Sequence, residues 1–167
     1  MSFFIKLNHI TFTFDNLSET IFSDLSGSFH TGWSSLCAPN GAGKTTLFKL
    51  IQGVHPLSNG SIEVNGRLEQ IPQSTNNPPA DLEDFRYDYS KQAIRLRKDL
   101  KIEDSFFDRW ENLSIGERKK LQVAIALSKE PDILLVDEPS NHVDSETKEV
   151  LLKVLKRFRG IGLLISH

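Results

Sequence analysis

Residues 38–45 read Ala-Pro-Asn-Gly-Ala-Gly-Lys-Thr, and this glycine-rich stretch decides the fold that the sequence predicts. A short predicted strand at residues 33–37, which contains Ser34 and Ser35, precedes it, and residues 44–52 place their apolar side chains at helical spacing. Glycines let the chain turn tightly enough for successive backbone N–H groups to face one anion, and the start of a helix adds the positive end of its dipole. The stretch therefore predicts an anion-binding loop between a strand and a helix, centred on Lys44.

The stretch follows the pattern G-x-x-x-x-G-K-[ST] of loops that bind the phosphates of ATP, except that Ala38 takes the place of the first glycine. In such loops the lysine, here Lys44, reaches the β- and γ-phosphates, and the next hydroxyl, here Thr45, binds Mg²⁺. An alanine at position 38 is tolerated unless the backbone there needs a positive φ. The residues expected to surround the nucleotide phosphates are Asn40, Gly41, Ala42, Gly43, Lys44, Thr45 and Thr46.

Two acids follow an apolar segment in the second half of the chain. Residues 133–136 form a continuous apolar run of strand length, as in a parallel sheet covered on both faces, and Asp137 and Glu138 come directly after it. Ligands of open α/β sheets bind at the carboxyl ends of the strands. Taken alone, two acids at the end of a strand are equally consistent with a functional pair and with solvated surface residues. Beside the phosphate loop, we expect Asp137 to hold Mg²⁺ and Glu138 to deprotonate the attacking water.

Strand and helix patterns alternate along the rest of the chain. Ser114 and Glu117 form a capping box at the start of one helix, and Asp144 caps another that continues to about Phe158. Asn65-Gly66 is interpreted as a turn between two strands. Strands are predicted at residues 5–14, 33–37, 61–64, 68–71, 133–136 and 161–165, and further helices at 44–52 and 90–101. This order predicts an α/β fold of the P-loop NTPase type, with a mostly parallel core sheet, flanking helices, a small antiparallel N-terminal β portion and a short helical insertion.

Length and composition fit one domain. The 167 residues are enough for one hydrophobic core, and a net charge of -2 does not indicate nucleic acid or an anionic membrane as a partner. The single cysteine, Cys37, excludes an internal disulfide and suits a reducing, cytoplasmic setting. No apolar run reaches the ~18 residues that a membrane span needs. If a membrane is involved, we expect a partner to supply the spanning part.

Further segments resemble the motifs of ABC ATPases, in that family's order. Residues 113–117, Leu-Ser-Ile-Gly-Glu, resemble the signature sequence, which is usually Leu-Ser-Gly-Gly-Gln or -Glu. Residues 141–144, Asn-His-Val-Asp, resemble the D-loop. Gln73 resembles the Q-loop glutamine, His167 the switch histidine, and Phe14 the aromatic residue that stacks on adenine. The sequence is thus identified as a member of the ABC ATPase family, a resemblance that covers nearly the whole chain.

The resemblance implies a mechanism in which two ATPase domains pair head to tail. The loop around Lys44 of one domain would hold Mg-ATP, while Ser114 and Gly116 of the other close on its γ-phosphate. Gln73 would sense Mg²⁺ or the attacking water, and His167 would donate a hydrogen bond to the γ-phosphate. With Glu138, these two residues form the expected catalytic set, and Asp144 would act across the pair.

One segment also points to a branch of the family. Residues 139–144, Pro-Ser-Asn-His-Val-Asp, resemble the Pro-Thr-Asn-His-Leu-Asp form of the ABC-F branch, whereas transporter domains more often carry Ser-Ala-Leu-Asp there. ABC-F proteins have two ATPase domains per chain and no membrane part, and they act on ribosomes in translation or in antibiotic resistance. The segment at about 74–113, expected to be the helical insertion, is short for a transporter. This segment contains a group of basic residues with two possible interpretations, contact with RNA phosphates or a solvated helix face. They are Lys91, Arg95, Arg97, Lys98 and Lys101.

Three functions therefore remain open on the sequence. The first is an ABC-F-like ATPase half that works with ribosomes, and the second is the ATP-binding subunit of a membrane transporter, with a permease as partner. The third is a fragment that binds nucleotide without hydrolysing it. Because the family usually continues beyond the position of His167, residues 1–167 are interpreted as one C-terminally truncated domain with weak activity when isolated. A second ATPase domain, from another copy or another chain, is the expected partner.

Overall fold

The computed structural model describes residues 2–14 and 19–166. The strands are β1 (Phe4–Thr13), β2 (Thr20–Phe29), β3 (Gly32–Leu36), β4 (Asn59–Asn65), β5 (Leu68–Ile71), β6 (Ile133–Asp137) and β7 (Ile161–Ile165). The helices are α1 (Lys44–Ile51), α2 (Leu82–Arg86), α3 (Lys91–Asp99), α4 (Ile115–Ser128) and α5 (Ser145–Leu155), with short 3₁₀ turns at Asp104–Asp108 and Trp110–Asn112. The chain forms two compact units. The first contains residues up to Leu68, residues 132–135 and the chain from Arg159 onward, and the second contains residues 69–131 and 136–158.

An antiparallel sheet of strand order β2-β1-β4 lies in the first unit. The central strand β1 alternates in burial, with Ile5 and Leu7 facing the core, and Ile5 lies opposite Phe29 on one side and Val64 on the other. β2 was not among the strands predicted from the sequence. No residue of this strand is fully buried, because serine, glycine and acidic residues interrupt its apolar positions, so β2 depends on its pairing with β1.

The parallel sheet has the strand order β3-β7-β6-β5, which confirms the predicted mostly parallel core. β3 pairs in parallel with β7, with Gly32 opposite Ile161 and Leu36 opposite Ile165. β6 is buried along its whole length, as its continuous apolar run predicts. β3 instead lies at the edge of the sheet and is largely exposed, which explains why a strand of this sheet carries Ser34 and Ser35.

The predicted turn at Asn65-Gly66 lies between two strands, but these strands do not pair with each other. Both strands exist, but β4 pairs with β1 in the antiparallel sheet, whereas β5 belongs to the parallel one. The backbone N–H of Arg67 donates to Asp132 Oδ2 (2.8 Å), and the Arg67 carbonyl accepts from the N–H of Ile133 (2.9 Å). These bonds pair the chain after the turn with a segment distant in sequence, so a local turn signal could not reveal them.

The core of the first unit joins α1 to both kinds of strand. Leu47, Phe48 and Ile51 of α1 form one apolar face of the helix, as their spacing predicts, and Gly53 follows its end with φ 72°. The buried strand residues in the same cluster are Ile5, Leu7, Ile10, Ile133, Leu135, Ile161, Leu163 and Ile165. The burial of α1 against these strands fixes its N-terminal end, where the glycine-rich loop ends.

The second unit consists mainly of helices with defined caps. Ser90 Oγ accepts from Ala93 N–H at the start of α3, and the predicted capping box of Ser114 and Glu117 is present at α4. Asp144 caps α5, which ends at Leu155, about one turn earlier than predicted. Within the described part of the chain, no helix combines the length and the apolar character that crossing a membrane requires.

Candidate active site

The glycine-rich loop connects β3 to α1 in the first unit. Gly41 and Gly43 have φ values of 81° and 88°, a region that glycine adopts without strain. Ala42 N–H donates to the carbonyl of Pro39 (3.2 Å), which closes the turn. α1 then begins at Lys44, and the residues from Asn40 to Ala42 are exposed. The loop thus presents an exposed turn directly before a helix N-terminus, as an anion site requires.

The two glycines are required for different reasons. A Cβ on Gly41 would meet no atom within 4 Å, so only its positive φ excludes other residues, and the space beside it is open. A Cβ on Gly43 would lie 2.5 Å from Ile21 Cγ2, so this glycine also permits close packing against β2. Ala38 is not among the described non-glycine residues with a positive φ. The alanine at the first position of the pattern therefore introduces no backbone strain.

Lys44 folds back over the loop that precedes it. Its Nζ donates to the carbonyls of Ala38 (2.6 Å) and Pro39 (3.1 Å), which holds the ammonium beside the turn. The side chain is half-buried, Thr45 next to it is exposed, and Thr46 is half-buried. A triphosphate at the loop would meet this ammonium together with the N–H groups at the helix start.

Phe14 lies in a small aromatic cluster after β1. Its ring centroid is 4.8 Å from that of Phe12 and 5.6 Å from that of His55, with interplanar angles of 79° and 81°. Phe14 is half-buried, so part of the ring remains accessible. Edge-to-face contacts of this kind hold a ring in place, as stacking on adenine would require. Sequence analysis did not find His55, which carries no motif.

In the second unit, Glu138, the residue after β6, contacts the predicted Q-loop glutamine, Gln73. Glu138 Oε2 accepts from Gln73 Nε2 (3.0 Å) and from Asn141 Nδ2 (2.9 Å). Asp137 is 2% exposed, and Glu138 has a φ of 45°, unusual for a residue with a side chain. Such strained backbone occurs at functional sites, where the surrounding structure holds it. The structure thus brings Gln73 and Glu138 together, which the sequence predicted only as separate members of one catalytic set.

A buried lysine that the sequence analysis missed supports this group. Lys119 is 1% exposed, and its Nζ donates to the carbonyls of Pro72 (2.6 Å) and Gln73 (3.0 Å). Burial lowers its pKa from 10.5 to about 8, while the charge of Asp137 acts in the opposite direction. The available signal was a basic residue inside the buried stripe of α4, between Gly116 and Val123.

The signature residues lie at the start of α4. Ser114 Oγ accepts from the N–H of Glu117 (3.2 Å), so this serine is the helix cap. Ile115 is 44% exposed on a helical backbone, so its branched side chain is accommodated at the surface. Gly116 is buried, and a Cβ there would lie 3.1 Å from Thr147 Oγ1 of α5. The glycine therefore also allows two helices of this unit to approach closely.

Asp144 of the D-loop has a structural role in α5. Its carboxylate accepts from Thr147 N–H and from Thr147 Oγ1, both at 2.8 Å. The bond from the Thr147 backbone is the main reason that the pKa of Asp144 is lowered. His167, the expected switch histidine, lies outside the described residues.

The donors present fit a magnesium ion of the kind that accompanies a nucleotide. Mg²⁺ usually takes one or two protein oxygens and completes its shell with phosphates and water. Each unit contains an oxygen donor of this kind, the exposed Thr45 hydroxyl in the first and the Asp137 carboxylate in the second. Within residues 2–14 and 19–166, no three His, Cys, Asp or Glu side chains form a dedicated metal cluster, and a nucleotide-borne ion needs none.

A parallel sheet, a glycine-rich loop before a helix and flanking helices define a P-loop NTPase. The fold agrees with that of the ATP-binding cassette MJ0796, solved as a dimer in a post-hydrolysis state with ADP and Pi, at a TM-score of 0.80 and 20% identity over 98% of this chain and 88% of that one. The family model described as ABC transporter matches residues 22–141. The chain belongs to this family, whose ATPase domains bind ATP with Mg²⁺.

Two relatives illustrate the range of the family. The chain is 33% identical over 183 residues to a probable metal transport system ATP-binding protein of Thermotoga maritima, covering 98% of this chain and 74% of the relative. It is 30% identical over 151 residues to the ribosome protection protein VmlR of Bacillus subtilis, covering 89% of this chain and 26% of the relative. The chain spans about a quarter of the length of several relatives that it matches.

Proposed function

We propose that this chain binds Mg-ATP on the loop around Lys44 and hydrolyses it when paired head to tail with a second ATPase domain. The observation that carries the proposal is the hydrogen bonding of the Glu138 carboxylate by the side-chain amides of Gln73 and Asn141. A carboxylate at a strand end, oriented by two donors, is suited to position and deprotonate a water. The exposed loop before the N-terminus of α1, in the first unit, supports the phosphate-binding part of the proposal.

In this proposal, each predicted site residue has a role in nucleotide binding or hydrolysis. Lys44 and the N–H groups of residues 40–46 bind the phosphates, and Phe14 stacks on the adenine. Thr45, Asp137 and Gln73 would hold Mg²⁺, which neutralises charge on the phosphoryl oxygens when bound. The α4 N-terminus of the paired domain, with Ser114 and Gly116, would approach the γ-phosphate. His167 would donate a hydrogen bond to the same phosphate.

Replacing Lys44 tests the nucleotide site. Lys44→Ala removes the ammonium but leaves the loop glycines, so we expect the affinity for Mg-ATP to fall by roughly 10- to 100-fold, the worth of a charged hydrogen bond. Lys49→Ala is the matched control, because Lys49 is exposed on the same helix. Isothermal titration calorimetry measures both affinities. Equal affinities of Lys44→Ala and the unmodified chain would remove the loop from its proposed role.

Among the biological roles, we propose an ABC-F-like function with the ribosome as partner. Residues 139–144 support it through their likeness to the ABC-F form, and the relative VmlR is named as a ribosome protection protein. A second candidate is the ATP-binding subunit of a transporter, with a membrane permease as partner. The Thermotoga relative supports this candidate, since the chain spans most of its length.

A further inference from the structure

Residues 72–75, which follow β5, are bound to α4 through their backbone carbonyls. We call residues 72–75 the tethered segment. The hydrogen bonds run from Lys119 Nζ to the oxygens of Pro72 (2.6 Å) and Gln73 (3.0 Å), from Gln122 Nε2 to that of Ser74 (2.8 Å) and from Arg118 to that of Thr75 (3.2 Å). Four successive carbonyls of a segment outside regular secondary structure thus accept hydrogen bonds from side chains of one helix.

The central donor of this arrangement is a buried cation. Lys119 is 1% exposed and Gln122 is 6% exposed, so water cannot replace either donor without a rearrangement. Burial of an ammonium is costly unless hydrogen bonds compensate for the lost hydration. Lys119 spans two neighbouring carbonyls, which fixes the peptide plane between Pro72 and Gln73. The direction in which the Gln73 side chain leaves the backbone is therefore set by Lys119.

Gln73 in turn holds the carboxylate proposed to deprotonate water, through its bond from Nε2 to Glu138 Oε2. We propose that Lys119 is a positioning residue for hydrolysis: it fixes the tethered segment so that the Gln73 amide orients Glu138. This inference rests on the proposed function. It adds a link from α4, whose N-terminus carries the signature residues, to the hydrolytic carboxylate.

The test replaces Lys119 by methionine and compares it with Lys120→Met. The control makes the same change one residue further along α4, at a lysine that is not as deeply buried and does not belong to the tethered segment's set of donors. The nucleotide-free full chain is labelled with ¹⁵N, and the Gln73 side-chain amide is followed by NMR, assigned through Gln73→Glu. We expect Lys119→Met to move this resonance to the position of a solvated glutamine, and Lys120→Met to leave it unchanged.

Kinetics provide the second measurement, on the full chain with its paired domain. Lys119→Met should lower kcat by roughly 10- to 100-fold, the effect of a small misplacement. The affinity for Mg-ATP should fall by less than kcat does, because the loop around Lys44 is unchanged and Gln73 is only one of the proposed Mg²⁺ ligands. If Lys119→Met fails to fold, Gln122→Met, which removes only the bond to Ser74, should move the same resonance in the same direction. An unchanged Gln73 resonance, or an equal change in Lys120→Met, overturns the proposal. Because the NMR test uses no nucleotide, its result is separate from that of Lys44→Ala.

Discussion

At the scale of single residues, the site combines local signals with contacts that cross the sequence. The glycines of the loop are visible in the sequence because their φ values of 81° and 88° demand that residue type. The Ser114 cap is also visible in the sequence, because the residue that donates to it, Glu117, is only three positions away. Lys119 was missed because its partners, the carbonyls of Pro72 and Gln73, are 47 and 46 residues away. A backbone carbonyl carries no residue-type signal at that distance.

The role of Glu138 is tested by its amide analogue. Glu138→Gln keeps an oxygen for the bond from Gln73 but removes the base, so we expect turnover to fall by roughly 100-fold or more with nucleotide binding retained. Glu149→Gln, an exposed change on α5, is the control. Phosphate release and calorimetry are measured on both variants and on the parent. A Glu138→Gln variant as active as its parent would contradict the assignment, and a parent without turnover would favour the non-hydrolysing alternative.

Lys119 should also give the protein a distinctive pH dependence. Its pKa is about 8 in the folded protein against 10.5 ordinarily, so between these values the unfolded chain binds more protons and stability rises with pH. The burial penalty is fully present below about pH 8 and amounts to on the order of 3 kcal/mol, all of it relieved above the unfolded pKa. Urea unfolding at pH 7.5 and pH 10 should show a larger gain in the parent than in Lys119→Met. Equal gains would indicate that Lys119 is not buried as a cation.

At the scale of elements, the pairing of a strand and its position in the sheet explain two strands whose sequences are not typical of buried strands. β2 has no buried residue and is held by β1, and β3 tolerates serines because it lies at the edge of its sheet. Close contacts between neighbouring strands also restrict the residue type at some positions, and the sequence alone does not show which strands are neighbours. A Cβ on Gly162 of β7 would collide with the Trp33 indole of β3, its parallel neighbour.

We therefore expect Gly162→Ala to destabilise the protein. The methyl group would overlap the ring of Trp33, and overpacking of this kind usually costs about 1–3 kcal/mol. Gly27→Ala is the control, because a Cβ on this strand glycine meets nothing within 4 Å and its φ is not positive. Denaturant unfolding measures the free energy of both variants. Similar stabilities for the two would mean that the Trp33 ring moves aside without cost.

At the scale of the whole molecule, the family is established while the partner is a proposal. The match to the family model covers residues 22–141, yet relatives of similar identity include a probable metal transport ATP-binding protein and a ribosome protection protein. Both relatives are ATP-binding or ribosome protection proteins of one family, so membership of the family does not separate the two roles. Residues 139–144 favour the ABC-F proposal, and the length covered in the Thermotoga relative favours the transporter subunit.

Co-purification separates the two proposed roles. A tagged chain carrying Glu138→Gln, which is expected to retain bound ATP, is recovered from cells in the presence of Mg-ATP. The ABC-F proposal predicts that ribosomal RNA co-purifies with this variant. It also predicts that the RNA is no longer recovered when the tagged chain carries Lys44→Ala. Recovery of a membrane permease without ribosomal RNA would instead support the transporter subunit.

By itself, the sequence determined the features that depend on a few consecutive residues. These are the glycine-rich loop before α1, the caps at Ser114 and Asp144, and the buried strand that ends in Asp137. Each follows from a backbone angle, a short-range hydrogen bond or a run of apolar side chains. This local information was enough to predict the α/β class and the family.

Only the tertiary structure decided which distant segments meet. It assigned β4 and β5 to different sheets, and it brought Gln73, Glu138 and Lys119 into one hydrogen-bonded group. The physical reason is that the partners of such bonds are chosen by the packing of whole strands and helices. No short stretch of sequence contains both partners, so the hydrogen bond from Gln73 to Glu138 appears only when the chain is folded.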